Sequence, residues 1–284
     1  GSGEYGLNQS TISTVSASDT INAAHWNSLF TGMDNISNHT NVSITASSVS
    51  AGDTIAIRSA LVSDLANLAA AVAGGSTGAT ALGTNAVGTS TNSGTWNSTS
   101  TIERSVTFAN NNTMRAFFNA GGKIRIDPTC VTGIDGDKDT VFNDLTTTAT
   151  GNLDIGAHAS TRSGSGETLT TNGLSNGFHD LGTGYTTILK LTSDNSGYTS
   201  NTVEYSAKLD AAVGSATVIT IKMVSTDAAD DTTYTSGNTS GVPANPNEAP
   251  RMTLALIEVH PTAAQGLSGA IQSASNAEVS NSAS

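Results

Sequence analysis

Apolar side chains recur every third or fourth position in the first 75 residues and every second position after residue 101. This change of period restricts the fold more than any other feature. A helix returns to the same face every 3.6 residues, whereas a strand alternates faces at each residue. From Asn22 to about His39, the side chains of Ala23, Trp26, Leu29/Phe30, Met33 and Ile36 form one helical stripe. From Ile55 to about Val72, Leu61, Leu65, Leu68 and Val72 form a second. Neither helix carries enough apolar surface to make a core alone, so both are expected to pack on each other or on neighbouring subunits. An uncovered apolar stripe marks an interaction surface. The candidate assembly interface is therefore Trp26, Leu29, Met33, Leu61, Leu65 and Leu68.

A phrase occurs twice before these helices, Val15-Ser16-Ala17-Ser18-Asp19-Thr20-Ile21 and Val49-Ser50-Ala51-Gly52-Asp53-Thr54-Ile55, at an offset of 49 − 15 = 34 residues. Ser, Asp and Thr oxygens accept hydrogen bonds from the free N–H groups of a helix start, so each copy reads as a capping entry. A period of this size used twice implies a duplicated docking element and not a solenoid. Residues 1–12 form a Gly-rich arm in which Tyr5 and Leu7 need an external partner to order them.

Residues 73–100 are Gly, Ser, Thr and Asn with almost no charge, and Trp96 is their large anchor. That composition predicts a linker or extended arm. Beyond it, the alternation predicts strands at Thr101–Phe108, Lys123–Asp127, Leu153–His158, Thr186–Leu191, Thr202–Leu209, Ala216–Ser225 and Met252–His260, separated by Gly, Asn and Asp turns. The expected class is α+β: a short N-terminal helical docking region followed by an antiparallel β-sandwich, immunoglobulin-like or jelly-roll-like. The expected boundaries are 1–75 for the arm and duplicated helices, 76–100 for the linker, 101–260 for the β body and 261–284 for a low-complexity tail. Within the body, Phe117-Phe118 followed by Gly121-Gly122 reads as a structural anchor. A short helix or strand would bury at least one ring, and a glycine with φ > 0 would then turn the chain into the next strand.

Composition excludes several functions. The 284 residues carry 11 Lys and Arg against 23 Asp and Glu, a net charge of −12, so a phosphate-binding surface is not expected and nucleic acid is excluded as a partner. Membrane insertion is excluded too, because no segment holds 18 consecutive apolar residues. Cys130 is the single cysteine, which rules out an internal disulfide and a cysteine zinc site. The start of the chain has neither the basic nor the apolar region of a secretory signal, so synthesis in a reducing cytoplasm is expected.

Asp135, Asp137 and Asp139 have the first, third and fifth carboxylate spacing of a calcium loop. An EF-hand then requires Gly and Glu where Thr140 and Thr146 stand, so that motif fails. A looser calcium site including Asp144 is the alternative to a solvated acidic loop. Asp227, Asp230 and Asp231 form a second acidic cluster of the same kind. His25, His39, His158, His179 and His260 lack metal-ligand spacing and are expected at the surface or at helix ends. Gly164-Ser165-Gly166 reads as a turn, and no nucleophile elbow surrounds any serine. No catalytic residue and no cofactor is expected, and the chain is not read as an enzyme.

Two stretches resemble structural proteins of tailed bacteriophages, particularly those of marine and cyanobacterial hosts. One is Met114-Arg115-Ala116-Phe117-Phe118-Asn119-Ala120-Gly121-Gly122-Lys123-Ile124-Arg125-Ile126. The other comprises Ile12, Val15-Ser16-Ala17, Asp19-Thr20-Ile21, Ala24, Trp26-Asn27, Leu29 and His39. Together they span about a seventh of the chain. The resemblance implies a virion component of the tail, baseplate or fibre-attachment region, made in the bacterial host cytoplasm. Its partners would be other copies of itself and other virion proteins. The alternatives are a receptor- or carbohydrate-binding module of a tail fibre contacting host surface glycan, a head decoration protein, and a glycan-degrading tailspike.

Overall fold

The computed structural model describes residues 12–40, 42–53, 58–76, 82–92, 94, 96–131, 136–228, 249–261 and 271–283. Within them the fold is α+β, with two antiparallel sheets and several helices. The chain forms two compact units, one drawn from Gly1–Gly83, Ala109–Gly122 and His260–Ala270, the other from Thr84–Phe108, Lys123–Val259 and Ile271–Ser284. Among the described residues, no helix is long and apolar enough to cross a membrane.

The first unit is built on α1 (Ala23–Thr40), α2 (Arg58–Ser76) and α3 (Asn111–Asn119), with α1 touching both of the others. Asn22 holds the start of α1: its side-chain oxygen accepts from Ala24 N–H at 3.0 Å and His25 N–H at 3.3 Å, and its own N–H donates to His25 Nδ1 at 3.2 Å. The first copy of the duplicated phrase is therefore not the cap of α1. The phrase forms the same turn twice. Asp19 N–H donates to the Ser16 carbonyl at 3.1 Å and Ser16 N–H to the Asp19 carboxylate at 2.6 Å; Asp53 and Ser50 repeat this at 3.1 and 2.7 Å. Matching positions Ser18 and Gly52 both take positive φ, +80° and +96°, as the third residue of a type II turn requires. Asp19 closes its own turn and leaves the cap of α1 to Asn22; the residues between Asp53 and α2 lie outside the described residues.

The connection between α1 and α2 is held by one polar side chain from each helix. Asn27 of α1 pairs with the backbone of Val49, accepting from its N–H at 2.8 Å and donating to its carbonyl at 3.0 Å. Asp64 of α2 accepts from Thr45 N–H at 2.8 Å and Ala46 N–H at 2.7 Å. This folds Ala46 and Val49 into a small core with Phe30, Met33 and Leu68, against which Ala23, Trp26, Leu29, Val42, Ile44 and Leu61 are partly buried.

Among the described residues, the second unit contains eleven strands in two sheets: β1 (Leu82–Thr91), β2 (Ser98–Phe108), β3 (Lys123–Val131), β4 (Leu153–Ile155), β5 (Ser160–Arg162), β6 (Thr168–Asn172), β7 (Thr186–Thr192), β8 (Thr202–Leu209), β9 (Val218–Thr226), β10 (Arg251–Pro261) and β11 (Ile271–Ala283). The five-stranded sheet has the order β1-β10-β3-β4-β5, and the six-stranded sheet β11-β2-β9-β8-β7-β6. Alternation buries Ile102, Val106 and Phe108 of β2, Val203, Tyr205, Ala207 and Leu209 of β8, and Ile219, Ile221 and Met223 of β9. On the other sheet it buries Ile124 and Ile126 of β3 with Met252, Leu254 and Leu256 of β10. A helix, α4 (Gly136–Asn143), runs into a π-helical turn, Asp144–Thr150, which touches β3 of one sheet and β7 and β8 of the other.

Several expectations are corrected here. The stretch 76–100 is not a linker beyond residue 81, since it holds β1 and the start of β2. β1 is an edge strand of small polar residues, so its alternation is invisible to a hydrophobic pattern. The segment 261–284, expected as a tail, contains β11, which pairs with β2 through backbone bonds that Ser and Asn support as well as apolar residues do. The acidic segment expected as a loop is α4 from Gly136 onward, and β5 and β6 were also not foreseen. The helical unit is discontinuous in sequence: Met114–Gly122, assigned above to the β body, belongs to the first unit with α1 and α2. The arm residues Tyr5 and Leu7 lie outside the described residues.

Candidate functional site

The residues of the expected assembly stripe divide between the inside and the outside of the first unit. Met33 and Leu68 are buried in its core; Trp26, Leu29 and Leu61 are partly buried against it, with Trp26 stacked on Phe30 at 6.2 Å between ring centroids. The chain thus covers more of this stripe than its composition suggested, because the connection at residues 42–49 adds Val42, Ile44, Ala46 and Val49 to the helix faces. Leu65 is different: it is 41% exposed, and Val62 and Val72 beside it are 66% and 49% exposed. Ile12 of the arm, Val15 and Ile21 of the first duplicated phrase and Ile36 of α1 are exposed as well. Sequence reasoning missed Val62, Val15 and Ile21 as surface, and it placed Val72 on the stripe without naming it at the candidate interface. Which half of an apolar arc faces inward is decided by the partner helix and not by spacing.

Electrostatics support the fold of this unit at Asp64. Burial disfavours its charge, but hydrogen bonds from the N–H groups of Ala46 and Thr45 and from the Thr45 hydroxyl outweigh that, holding the carboxyl below its ordinary range.

Phe117 and Phe118 sit on α3, both fully buried, and meet edge to face with centroids 5.2 Å apart. Asn110 caps the helix by accepting from Thr113 N–H at 2.8 Å. At the other end, Gly121 N–H donates to the Phe118 carbonyl at 3.0 Å and Gly122 N–H to the Phe117 carbonyl at 2.9 Å, a Schellman ending. Gly121 has φ +93°, and a Cβ on Gly122 would lie 2.5 Å from the Phe117 carbonyl oxygen. Arg115 is buried on the same helix, and desolvation lowers the pKa of its guanidinium. Arg125 lies on β3, where Asp154 of β4 accepts from its Nε at 2.7 Å and from its Nη2 at 3.0 Å. Neither phenyl ring is open to a ligand.

In the second unit, the carboxylates offered as a calcium site do not converge. Asp135 lies outside the described residues. Asp137 is exposed on α4 while Asp139, two residues on, is buried, because residues two apart on a helix point about 200° apart. Among the described residues, no group of three or more His, Cys, Asp or Glu is placed to hold a metal ion. Asp230 and Asp231 of the second cluster are outside the described residues. Asp227 is buried and accepts a hydrogen bond from Lys138 Nζ at 2.8 Å, with both side chains 1% exposed. Cys130 is half-buried and donates to the Asp139 carbonyl at 3.7 Å; burial, reinforced by the Asp139 carboxylate, pushes its thiol up to about 11.

The sequence also failed to foresee several polar groups that the fold packs away from water. Arg104 points inward from β2 and donates to the Ser90 hydroxyl of β1, and Gly88 (φ +153°) leaves the space that its guanidinium fills. Asn92 bonds both backbone groups of Met252 and donates to the Ser100 hydroxyl at 3.1 Å. His179, expected at the surface, is buried and stacked on exposed His158 with centroids 5.1 Å apart. Tyr185 lies under the ammonium groups of Lys208 and Lys222, 4.4 and 3.8 Å from its ring centroid. Burial and the neighbouring Glu103 raise its phenol pKa.

Comparison with models of protein families, with curated proteins and with solved structures finds no match to this chain.

Proposed function

We propose that this protein is a structural component of a tailed-bacteriophage virion, in the tail, baseplate or fibre-attachment region, and that it acts by protein–protein assembly. The observation that carries the reading is the uncovered apolar face of α2, with Val62, Leu65 and Val72 open on a helix whose stretch Ser59–Ser76 holds a single charged residue, Asp64. Exposed apolar surface of this kind marks protein contact. The resemblance of Ile12–His39 and Met114–Ile126 to virion proteins supplies the setting. On this reading the helical unit attaches, and the two-sheet unit packs against neighbours or is displayed.

The strand order supports a jelly-roll-like over an immunoglobulin-like identity for the second unit. Successive strands alternate between sheets at its two ends, so that β1 pairs with β10 and β2 with β9 in a nested wrap. The inner strands depart from that scheme, as β6, β7, β8 and β9 follow one another in a meander. Mass spectrometry of purified particles, with a label at the C-terminus imaged in situ, tests the function. Absence of the chain from particles overturns it. Binding of host polysaccharide by the purified chain favours the receptor-binding alternative, and cleavage the tailspike alternative.

A further inference from the structure

We infer that Lys138 and Asp227 condense into an intramolecular isopeptide bond that staples the two-sheet unit. The linkage is independent of the assembly reading above. Lys138 Nζ lies 2.8 Å from Asp227 Oδ2, and both side chains are 1% exposed. Hydrogen bonds fix the backbone on either side of the carboxylate: Asp227 N–H donates to the Ser98 carbonyl at 2.9 Å, and Ala228 N–H to Asn201 Oδ1 at 2.9 Å. Lys138 is held by α4, with Val141 and Phe142 three and four residues further along the same face, both buried. Trp96 closes edge-on against Phe142, 5.1 Å between ring centroids. The amine thus meets the carboxyl in a site closed to water and lined by apolar groups on the α4 side. The pairs Arg125–Asp154 and Lys190–Glu204, in contrast, stay partly exposed.

Two charges are costlier than two neutral groups in such a site, which drives a proton along the hydrogen bond from Nζ to Oδ2. A free amine lone pair then stands beside a carboxylic acid. Nζ bonds to Cγ, the C–OH bond breaks, and one of the two protons left on nitrogen joins the departing hydroxyl, which leaves as water. The fold holds the reacting groups in contact, so the step needs no encounter, and exclusion of solvent opposes the reverse hydrolysis. The bond ties α4 to the end of β9 across 89 residues and encloses β4 to β9. A cross-link of that span removes conformations from the unfolded chain, as a disulfide does. Cys130, the single cysteine, gives the chain no internal disulfide to do the same.

Mass spectrometry of the denatured full-length chain should give a mass below that of its sequence by one water. Proteolysis should release a branched peptide in which the Lys138 side chain is joined to Asp227, and this peptide identifies the bond whether or not any variant folds. Lys138→Arg keeps a cation at the site but no amine that can be acylated, and Asp227→Ala removes the acyl group; both should show the full mass of their sequences. A parent chain at its full sequence mass overturns the bond. So does a missing water that persists in Lys138→Arg, or one that maps to Asp135-Gly136, where an aspartyl–glycine step dehydrates by cyclising on its own backbone.

Discussion

At the scale of single residues, the sharpest consequences come from groups whose surroundings leave no room for change. Phe117 and Phe118 are fully buried, so replacing either by Ala removes an aromatic side chain from a closed site. Each substitution should cost about 3–5 kcal/mol in urea denaturation followed by circular dichroism. Gly122→Ala should be damaging for a different reason, because its Cβ would enter the space of the Phe117 carbonyl. In the unlinked chain, Lys138 and Asp227 form a pair with both charges out of water. Lys138→Ala strands the Asp227 carboxylate and should cost about 3–5 kcal/mol, whereas Lys138→Met combined with Asp227→Leu should recover most of that loss. Equal stability of the single and double variants in denaturant melts would show that the pair is not the source of the cost.

Among the elements, the connection at residues 42–53 is held by Asn27 and Asp64 and gives a pH dependence with a defined sign. The folded-state pKa of Asp64 lies below its ordinary value. Its contribution is therefore complete above the unfolded carboxylate pKa, about 3.9, and is lost as pH falls through the lower folded value. Acid titration of the helical circular dichroism should show this loss, and Asp64→Asn should flatten it while weakening the unit at neutral pH by about 1–3 kcal/mol through lost hydrogen bonds to buried N–H groups. An unchanged acid transition in Asp64→Asn would assign the pH sensitivity to other carboxylates.

For the whole molecule, the division into two units predicts how truncation behaves. Deleting residues 1–75 removes α1 and α2 but none of the eleven strands. The fragment should keep its β-type circular dichroism and a cooperative thermal transition. The α3 helix would lose its contact with α1, so the fragment should melt below the full-length chain. A fragment without a cooperative transition would show that the two-sheet unit depends on the helices.

Local periodicity was sufficient to place α1, α2 and the apolar strands, because the spacing of Trp26, Phe30 and Met33 or of Val203, Tyr205, Ala207 and Leu209 is a property of the chain itself. The ending of α3 was equally legible, since Gly121-Gly122 supplies the conformations that a helix stop requires. β1 and β11 were not legible: their Ser, Thr and Asn residues have no hydrophobic alternation, and they become strands through backbone hydrogen bonds to β10 and β2, which lie far away in sequence. The same holds for the Lys138–Asp227 pair, 89 residues apart, and for Arg104 beneath Gly88. The stripe on α2 was visible in sequence, but its division into a covered Leu68 and an open Leu65 was decided by tertiary packing, because only the position of α1 and of the 42–49 connection determines which half of an apolar arc remains in water.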